Sequence, residues 1–205
     1  MHWQLNRIQY PIYNLGPGRR IGIWVQGCSI HCPGCLSADL WPFDRGRAID
    51  IAQLVDLLSR ISEPFDGITI TGGEPFDQYE ALVAFCAFLK QKAGLEIFCF
   101  SGYYLEELLE KFSDRLFLKY LDYLLDGRYL AEQHENHNVR GSFNQRLYKF
   151  ENGQAKLQRD YFQSSKWSIA ITADHQIFMA GIPKRDDLNF IETELAKQGL
   201  NVRFE

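Results

Sequence analysis

The sequence predicts an α/β fold: an open, partial β/α barrel with a small C-terminal hairpin-helix-strand extension. Three observations predict it. From Arg20 to Leu125, short apolar runs bounded by glycine alternate with stretches of helical period, implying a parallel sheet with right-handed crossovers. About four such units fit, too few to close an eight-fold barrel. Beyond about Arg128 the pattern breaks and differently organised sequence begins. Residues 1–150 are accordingly expected to form the core and 151–205 an α+β extension packed on it.

The elements follow in order. Arg20 to Gln26 reads as a buried strand between the turn Gly16-Pro17-Gly18 and Gly27. Asp50 is placed to cap a helix whose apolar face is Ile51, Leu54, Leu57, Leu58 and Ile61. Ile68-Thr69-Ile70-Thr71 is a strand ended by Gly72-Gly73, and Tyr79 to Lys92 a helix with Leu82, Phe85, Cys86 and Leu89 on one face. Glu96 to Phe100 is a third strand, Leu105 to Phe112 a third helix, and Leu116 to Tyr120 a helical stretch before a strand at Tyr123 to Leu125. Arg128 to Lys166 is polar and irregular. Trp167 to Thr172 and Gln176 to Met179 form a hairpin around Ala173-Asp174-His175, Asp186 to Gln198 a helix, and Asn201 to Phe204 a terminal strand.

A net charge of −4 with no basic stripe argues against nucleic acid as a partner. The start, Met1-His2-Trp3-Gln4-Leu5-Asn6-Arg7, lacks a basic-then-apolar signal, and no run approaches the roughly 20 apolar residues that span a bilayer. The expected location is therefore the cytoplasm, with no membrane partner. In that compartment five cysteines are free thiols, metal ligands or catalytic groups rather than disulfides.

Gly27-Cys28-Ser29-Ile30-His31-Cys32-Pro33-Gly34-Cys35 carries the chemistry. Three cysteines spaced C-x3-C-x2-C sit in one loop directly after a strand. Thiolates suit iron–sulfur clusters and zinc. A closed zinc site needs four ligands, usually as two separated pairs. Three cysteines in one loop suit a [4Fe–4S] cubane, each taking one iron and leaving the fourth iron open. His31, Cys86 and Cys99 are the other conceivable ligands. His31 is hemmed in by its neighbours in sequence, and Cys86 and Cys99 read as small buried hydrophobes.

On these residues the chain resembles the radical SAM enzymes. The run Gly16-Pro17-Gly18-Arg19-Arg20 through Trp24-Val25-Gln26-Gly27-Cys28 to Cys32-Pro33-Gly34-Cys35 is similar to the activating proteins of glycyl radical enzymes. The resemblance spans roughly residues 8 to 150 and is strongest to activators of anaerobic ribonucleotide reductase. It implies a radical SAM-type partial barrel and a cluster on Cys28, Cys32 and Cys35. It also implies S-adenosylmethionine (SAM) bound at the open iron and cleaved to a 5′-deoxyadenosyl radical. The implied partners are a glycyl radical enzyme and a flavodoxin- or ferredoxin-type electron donor.

Thr71-Gly72-Gly73-Glu74-Pro75 resembles the family's Gly-Gly-Glu motif, which implies that Gly72, Gly73 and Glu74 contact the methionine part of SAM. Read alone, the segment is also a common turn, with Glu74 merely starting a helix. Ser101, in Ser101-Gly102-Tyr103, is implied near the ribose or carboxylate of SAM, and a plain turn serine is the alternative. Asp126 is implied near the SAM carboxylate and the incoming substrate, the alternative being a solvated strand-end carboxylate. Gly34 and Leu36 occupy positions that are often aromatic in the family and pack on adenine. Arg140, Asn144, Gln145 and Arg146 resemble an activator segment and are candidates for holding a partner's backbone. His134 and His137 lack a third ligand in register and read as an exposed polar loop. About fifty residues beyond the activator core have no counterpart in the resemblance. The competing readings are a maturase of a peptide or small molecule, a non-catalytic iron–sulfur electron carrier and a zinc-stabilised module.

Overall fold

The computed structural model describes residues 1–135, 139–160, 162, 167–171, 177–181, 185–197 and 199. Its centre is four parallel strands: β2 (Arg20–Val25), β4 (Gly67–Gly72), β5 (Glu96–Phe100) and β6 (Tyr123–Asp126). They are joined by crossovers carrying α1 (Ile51–Ser59), α2 (Tyr79–Ala93), α3 (Leu105–Lys111) and α4 (Phe117–Tyr120). These are the four units the alternation predicts. Four further strands extend the sheet antiparallel at its flanks: β1 (His2–Ile12), β3 (Arg47–Asp50), β7 (Arg146–Glu151) and β8 (Gln154–Gln158). The order is β3-β1-β2-β4-β5-β6-β7-β8, an open mixed sheet with edges at β3 and β8.

The antiparallel flanks differ from the predicted all-parallel sheet. In β1 the alternation of Trp3, Leu5, Ile8 and Ile12 is interrupted by register shifts between Leu5 and Arg7 and between Gln9 and Ile12. A bulged strand of this kind loses its period-2 signature. β7 and β8 lie in the stretch read as irregular: every side chain of β8 is at least partly exposed, so no apolar run marks it. β8 also continues the sheet beyond residue 150. A separate antiparallel hairpin joins β9 (Trp167–Ile171) to β10 (Ile177–Gly181), followed by α5 (Arg185–Lys197). The hairpin turn at 173–175 and the strand expected over 201–204 lie outside the described residues.

The helices follow their predicted causes. Asp50 accepts the Ala52 and Gln53 backbone N–H groups at 2.9 and 3.4 Å, capping α1. The buried face of α1 is Ile51, Leu54, Val55 and Leu58, whereas Leu57, expected on it, is half exposed. Val55 takes its place because i, i+3, i+4 and i+7 define the inward stripe. On α2 the expected face of Leu82, Phe85, Cys86 and Leu89 is buried as read. Arg20 is fully buried at the start of β2, where its guanidinium donates to Thr69 Oγ1 (2.7 Å), Glu96 Oε1 (2.8 Å) and the Ile68 carbonyl (2.9 Å). Those bonds satisfy a desolvated cation and tie three parallel strands together at the end opposite the cysteine loop. Among the described residues no helix is long and apolar enough to cross a membrane.

Candidate iron–sulfur site

The carboxyl ends of the parallel strands converge on one cavity of about 140 Å³. Cys28, Cys32 and Cys35 line it together with Gly72, Gly73, Glu74 and Ser101, so three motifs far apart in sequence meet there. Asp126 ends β6 one residue before Gly127, which also lines the cavity. Among the described residues, no group of three His, Cys, Asp or Glu side chains is placed to hold a single metal ion. A cubane makes a different demand, because each of its cysteines takes a separate iron.

The loop is fastened from several sides. The Gly27 and Cys28 N–H groups donate to the Leu40 and Trp41 carbonyls (2.8 and 3.1 Å), and Glu74 N–H donates to the Gly27 carbonyl (2.8 Å). Gly73 is required by that approach, since a Cβ there would lie 2.1 Å from the Gly27 carbonyl oxygen. A Cβ on Gly72 would likewise meet the Val25 backbone at 2.5 Å. The two glycines thus bring the motif against the protein's own cysteine loop. Asp77, which sequence reasoning missed, accepts Ser29 N–H (2.7 Å), Ser29 Oγ–H (3.0 Å) and the Tyr103 hydroxyl (2.9 Å). Gln78, also missed, bridges β1 and β2 by accepting Gln4 N–H and donating to the Gln4 and Gln26 carbonyls. In sequence, both are ordinary polar residues at a helix start; only the fold shows what they reach.

The donor set suits the cluster. All three cysteines are free. Burial pushes the Cys28 thiol up, opposed by the backbone N–H groups of His31 and Ile30 on its sulfur. Cys32 is pushed up in the same way and opposed first by Tyr129 N–H. Such N–H groups favour a thiolate and stabilise cluster sulfurs. His31 does not join the thiols: it adopts a positive φ of 53° and stacks on Trp41 at 4.7 Å. Trp41 lines the cavity, and its indole N–H is buried without a partner among the described residues. Cys86 and Cys99 are fully buried in the apolar core.

Glu74 is 1% exposed. Its Oε1 accepts Phe76 N–H and Ser101 Oγ–H, both at 2.9 Å, and its Oε2 accepts Gly102 N–H at 2.7 Å. Burial outweighs these donors and pushes its carboxyl up to about 7. The Ser101 hydroxyl proton is committed to Glu74, and its oxygen accepts Tyr103 N–H at 3.1 Å.

Asp126 is fully buried rather than solvated. It accepts Leu105 N–H (2.7 Å) and a two-pronged ion pair from Arg146 (3.0 and 2.6 Å), capping α3 and anchoring β7. Arg146 also bonds Glu106, and the two carboxylates raise its pKa. Asn144 donates to the Arg128 carbonyl at 2.9 Å, while Arg140 pairs with Glu135 at 2.7 Å. Gln145 accepts Gly141 N–H at 2.8 Å and donates to the Gly127 carbonyl at 2.9 Å. These four candidates therefore brace their own loop, and only Gln145 of them lines the cysteine cavity. Gly34 is exposed, while Leu36 is 54% exposed on the rim of a second cavity. His134 bonds the Tyr129 hydroxyl at 3.0 Å, and His137 lies outside the described residues.

The second cavity holds about 480 Å³ and shares Cys35, Thr71, Gly72, Phe100, Tyr129 and Gln145 with the first. One wall is the β10 strand of the C-terminal hairpin. The hairpin is pinned there by Asn14, whose side-chain amide donates to the Ala180 carbonyl. The hairpin thus walls a half-open space beside the cysteine cavity.

The stretch that carries these cysteines is similar to known iron–sulfur proteins. A model of the 4Fe–4S single cluster domain matches residues 14–148. The anaerobic ribonucleoside-triphosphate reductase-activating protein of Haemophilus influenzae is 32% identical, covering 71% of this chain and 99% of its own. The protein so named from Enterobacteria phage T4 is 30% identical, over 67% of this chain and 88% of its own. The pyruvate formate-lyase-activating enzyme of Listeria monocytogenes is 32% identical over 37% of this chain and 32% of its own. The class is thus an iron–sulfur protein with one 4Fe–4S cluster. Within it, the chain belongs to the family of radical SAM activating proteins.

Proposed function

We propose that this chain binds a [4Fe–4S] cluster through Cys28, Cys32 and Cys35, holds SAM beside it, and activates a glycyl radical enzyme by abstracting a hydrogen atom from a glycine. The observation that carries this reading is the meeting of the three thiols with Glu74 in one small cavity at the strand ends. When bound and reduced, the cluster supplies the electron that breaks the sulfonium carbon–sulfur bond of SAM, giving methionine and a 5′-deoxyadenosyl radical.

The protein's part is to bind, orient and exclude water. Glu74 accepts three protein donors, leaving one acceptor position of its carboxylate, on Oε2, for the SAM ammonium group. Ser101 acts through Glu74, fixing the carboxylate against the turn after β5. The unpartnered Trp41 N–H offers a donor to a cluster sulfur or to the SAM carboxylate. Asp126 and Arg146 hold the loop that carries Tyr129 and Gln145 over both cavities. Residues 1–150 carry the site, and residues 151–205 supply the hairpin wall.

The larger cavity adjoins the cysteines and carries Leu36 on its rim, so it would take the adenosine end of SAM as well as the segment that carries the target glycine. The relatives from Haemophilus influenzae and phage T4 are named for activating an anaerobic ribonucleoside-triphosphate reductase, and an enzyme of that kind is the first partner to test. A flavodoxin- or ferredoxin-type protein is the matching electron donor. The test is release of 5′-deoxyadenosine from SAM by the anaerobically reconstituted, chemically reduced chain. The account expects iron-dependent release; cluster-loaded protein that leaves SAM intact would favour an electron carrier.

A further inference from the structure

The larger cavity contains a cation that nothing in the cluster or SAM site uses. Arg7, on β1, places its guanidinium 4.7 Å from the ring centroid of Trp24 and 5.3 Å from that of Phe178. Trp24 comes from β2 and Phe178 from the C-terminal hairpin, so the clamp exists only because the hairpin packs on the core. Arg7 and Phe178 both lie outside the residues that match the 4Fe–4S domain.

The hydrogen bonding of this cation is incomplete. A guanidinium carries five N–H donors. Here one terminal nitrogen donates to Asn6 Oδ1 at 3.3 Å, and Nε is buried without a partner among the described residues. Burial lowers the Arg7 pKa, and Asp39 offsets this only through space, with no hydrogen bond between them. Aromatic faces stabilise a cation but accept none of its in-plane N–H bonds. Nε is too buried to reach, so the two terminal nitrogens, which among the described residues make only the Asn6 bond, are the side of the fork left to meet an acceptor in the cavity that Arg7 lines.

The geometry points to a carboxylate-binding subsite at Arg7, where an acidic group of the substrate meets the edge of the guanidinium that is held against Trp24 and Phe178. A carboxylate matches the fork with two parallel hydrogen bonds. The apolar surroundings, Leu15, Phe100 and Val139, suit a singly charged group on an otherwise apolar segment. Asp39 on the same rim opposes any anion, and opposes a dianion such as phosphate about twice as strongly as a carboxylate. Taking the cavity as the substrate's rests on the proposed function, and the source of the carboxylate follows from it: an Asp or Glu near the target glycine of the inserted polypeptide. A free small acid is the other source of the same chemistry.

The subsite is tested by calorimetric titration of the anaerobically reconstituted full chain with four probes. These are acetyl-Phe-Asp-Gly-amide and its Asn counterpart, and 3-phenylpropionate and its neutral amide. Each acid should bind at least ten-fold more tightly than its neutral partner. Arg7→Gln should abolish that preference, and Arg7→Lys, with the charge but not the fork, should keep part of it. Iron content and circular dichroism establish that the variants fold. Tighter binding of the peptide acid assigns a polypeptide source, and tighter binding of 3-phenylpropionate a small acid. No preference for the acids, no binding of either acid, or a preference that survives Arg7→Gln would overturn the subsite. Release of 5′-deoxyadenosine without any probe reads the proposed function separately, so the two can fail independently.

Discussion

Glu74→Gln separates the turn contacts that this carboxylate makes from the SAM contact proposed for it. In the native chain Oε1 takes two donors and Oε2 one, with a single acceptor position free. A glutamine oxygen can keep Phe76 N–H and Ser101 Oγ–H, but its NH₂ then faces Gly102 N–H. Leaving that donor buried and unpaired costs about 1–3 kcal/mol of folding stability. The lost charge-assisted bond to the SAM ammonium costs a further 1.5–3 kcal/mol of binding, roughly 10- to 150-fold in affinity. The pH dependence gives an independent signature. The carboxyl titrates at about 7, and only its ionised form accepts an ammonium proton without losing its other donors. Native affinity for SAM should therefore fall about ten-fold from pH 8 to pH 6, beyond any change in the variant, which carries only the ligand's own ionisation. Folding runs the other way. Because the folded-state pKa is raised from 4.5 to about 7, the native state holds this proton more tightly, and the group's stabilising contribution is lost as pH rises through 7. Anaerobic SAM titration and urea unfolding of cluster-loaded protein read both effects. Equal affinities with parallel pH profiles would refute the assignment and leave Glu74 as a turn anchor.

Replacing Cys28, Cys32 or Cys35 with Ala should each prevent full cubane loading, whereas Cys86→Ala and Cys99→Ala should keep the cluster and cost on the order of 1 kcal/mol in packing; iron and sulfide analysis with thermal unfolding decides. Gly73→Ala should force the motif off the Gly27 carbonyl, destabilising the fold by about 1–3 kcal/mol and lowering iron per chain after reconstitution. Asp126→Ala should destabilise by about 3 kcal/mol in urea, since it strands Leu105 N–H and removes the buried partner of Arg146. That figure is the lower end of the range because Arg146 is 31% exposed and keeps Glu106.

The central sheet and the cysteine loop were legible because their signals are local. Ile68-Thr69-Ile70-Thr71 announces a strand, and three cysteines in one loop announce a soft metal centre. The antiparallel flanks were not legible: the bulges of β1 shift its register, and the exposed β8 is recruited only by pairing with β7. The same limit governs the site. Glu74 and Ser101 could be singled out from their motifs, but not the hydrogen bond that couples them across twenty-seven positions. Asp77 and Gln78 looked like helix-start residues, because the loops they fasten are brought to them only by the parallel crossovers. Arg140, Asn144, Gln145 and Arg146 could be singled out as a polar segment, but not their bonds to Glu135, Arg128, Gly127 and Asp126. Arg7 gave no signal, since its surroundings combine the first strand with the last hairpin.

The most direct test of the account is electron paramagnetic resonance of the partner after anaerobic turnover. The reduced, cluster-loaded chain is incubated with SAM and an anaerobic ribonucleoside-triphosphate reductase from the same source. The account predicts a persistent glycine-centred doublet that is absent without SAM, absent with the Cys32→Ala chain, and lost when the acceptor glycine of the reductase is changed to alanine. Conversion of a free metabolite at a substantial rate with no second polypeptide present, and no radical on the reductase, would contradict it.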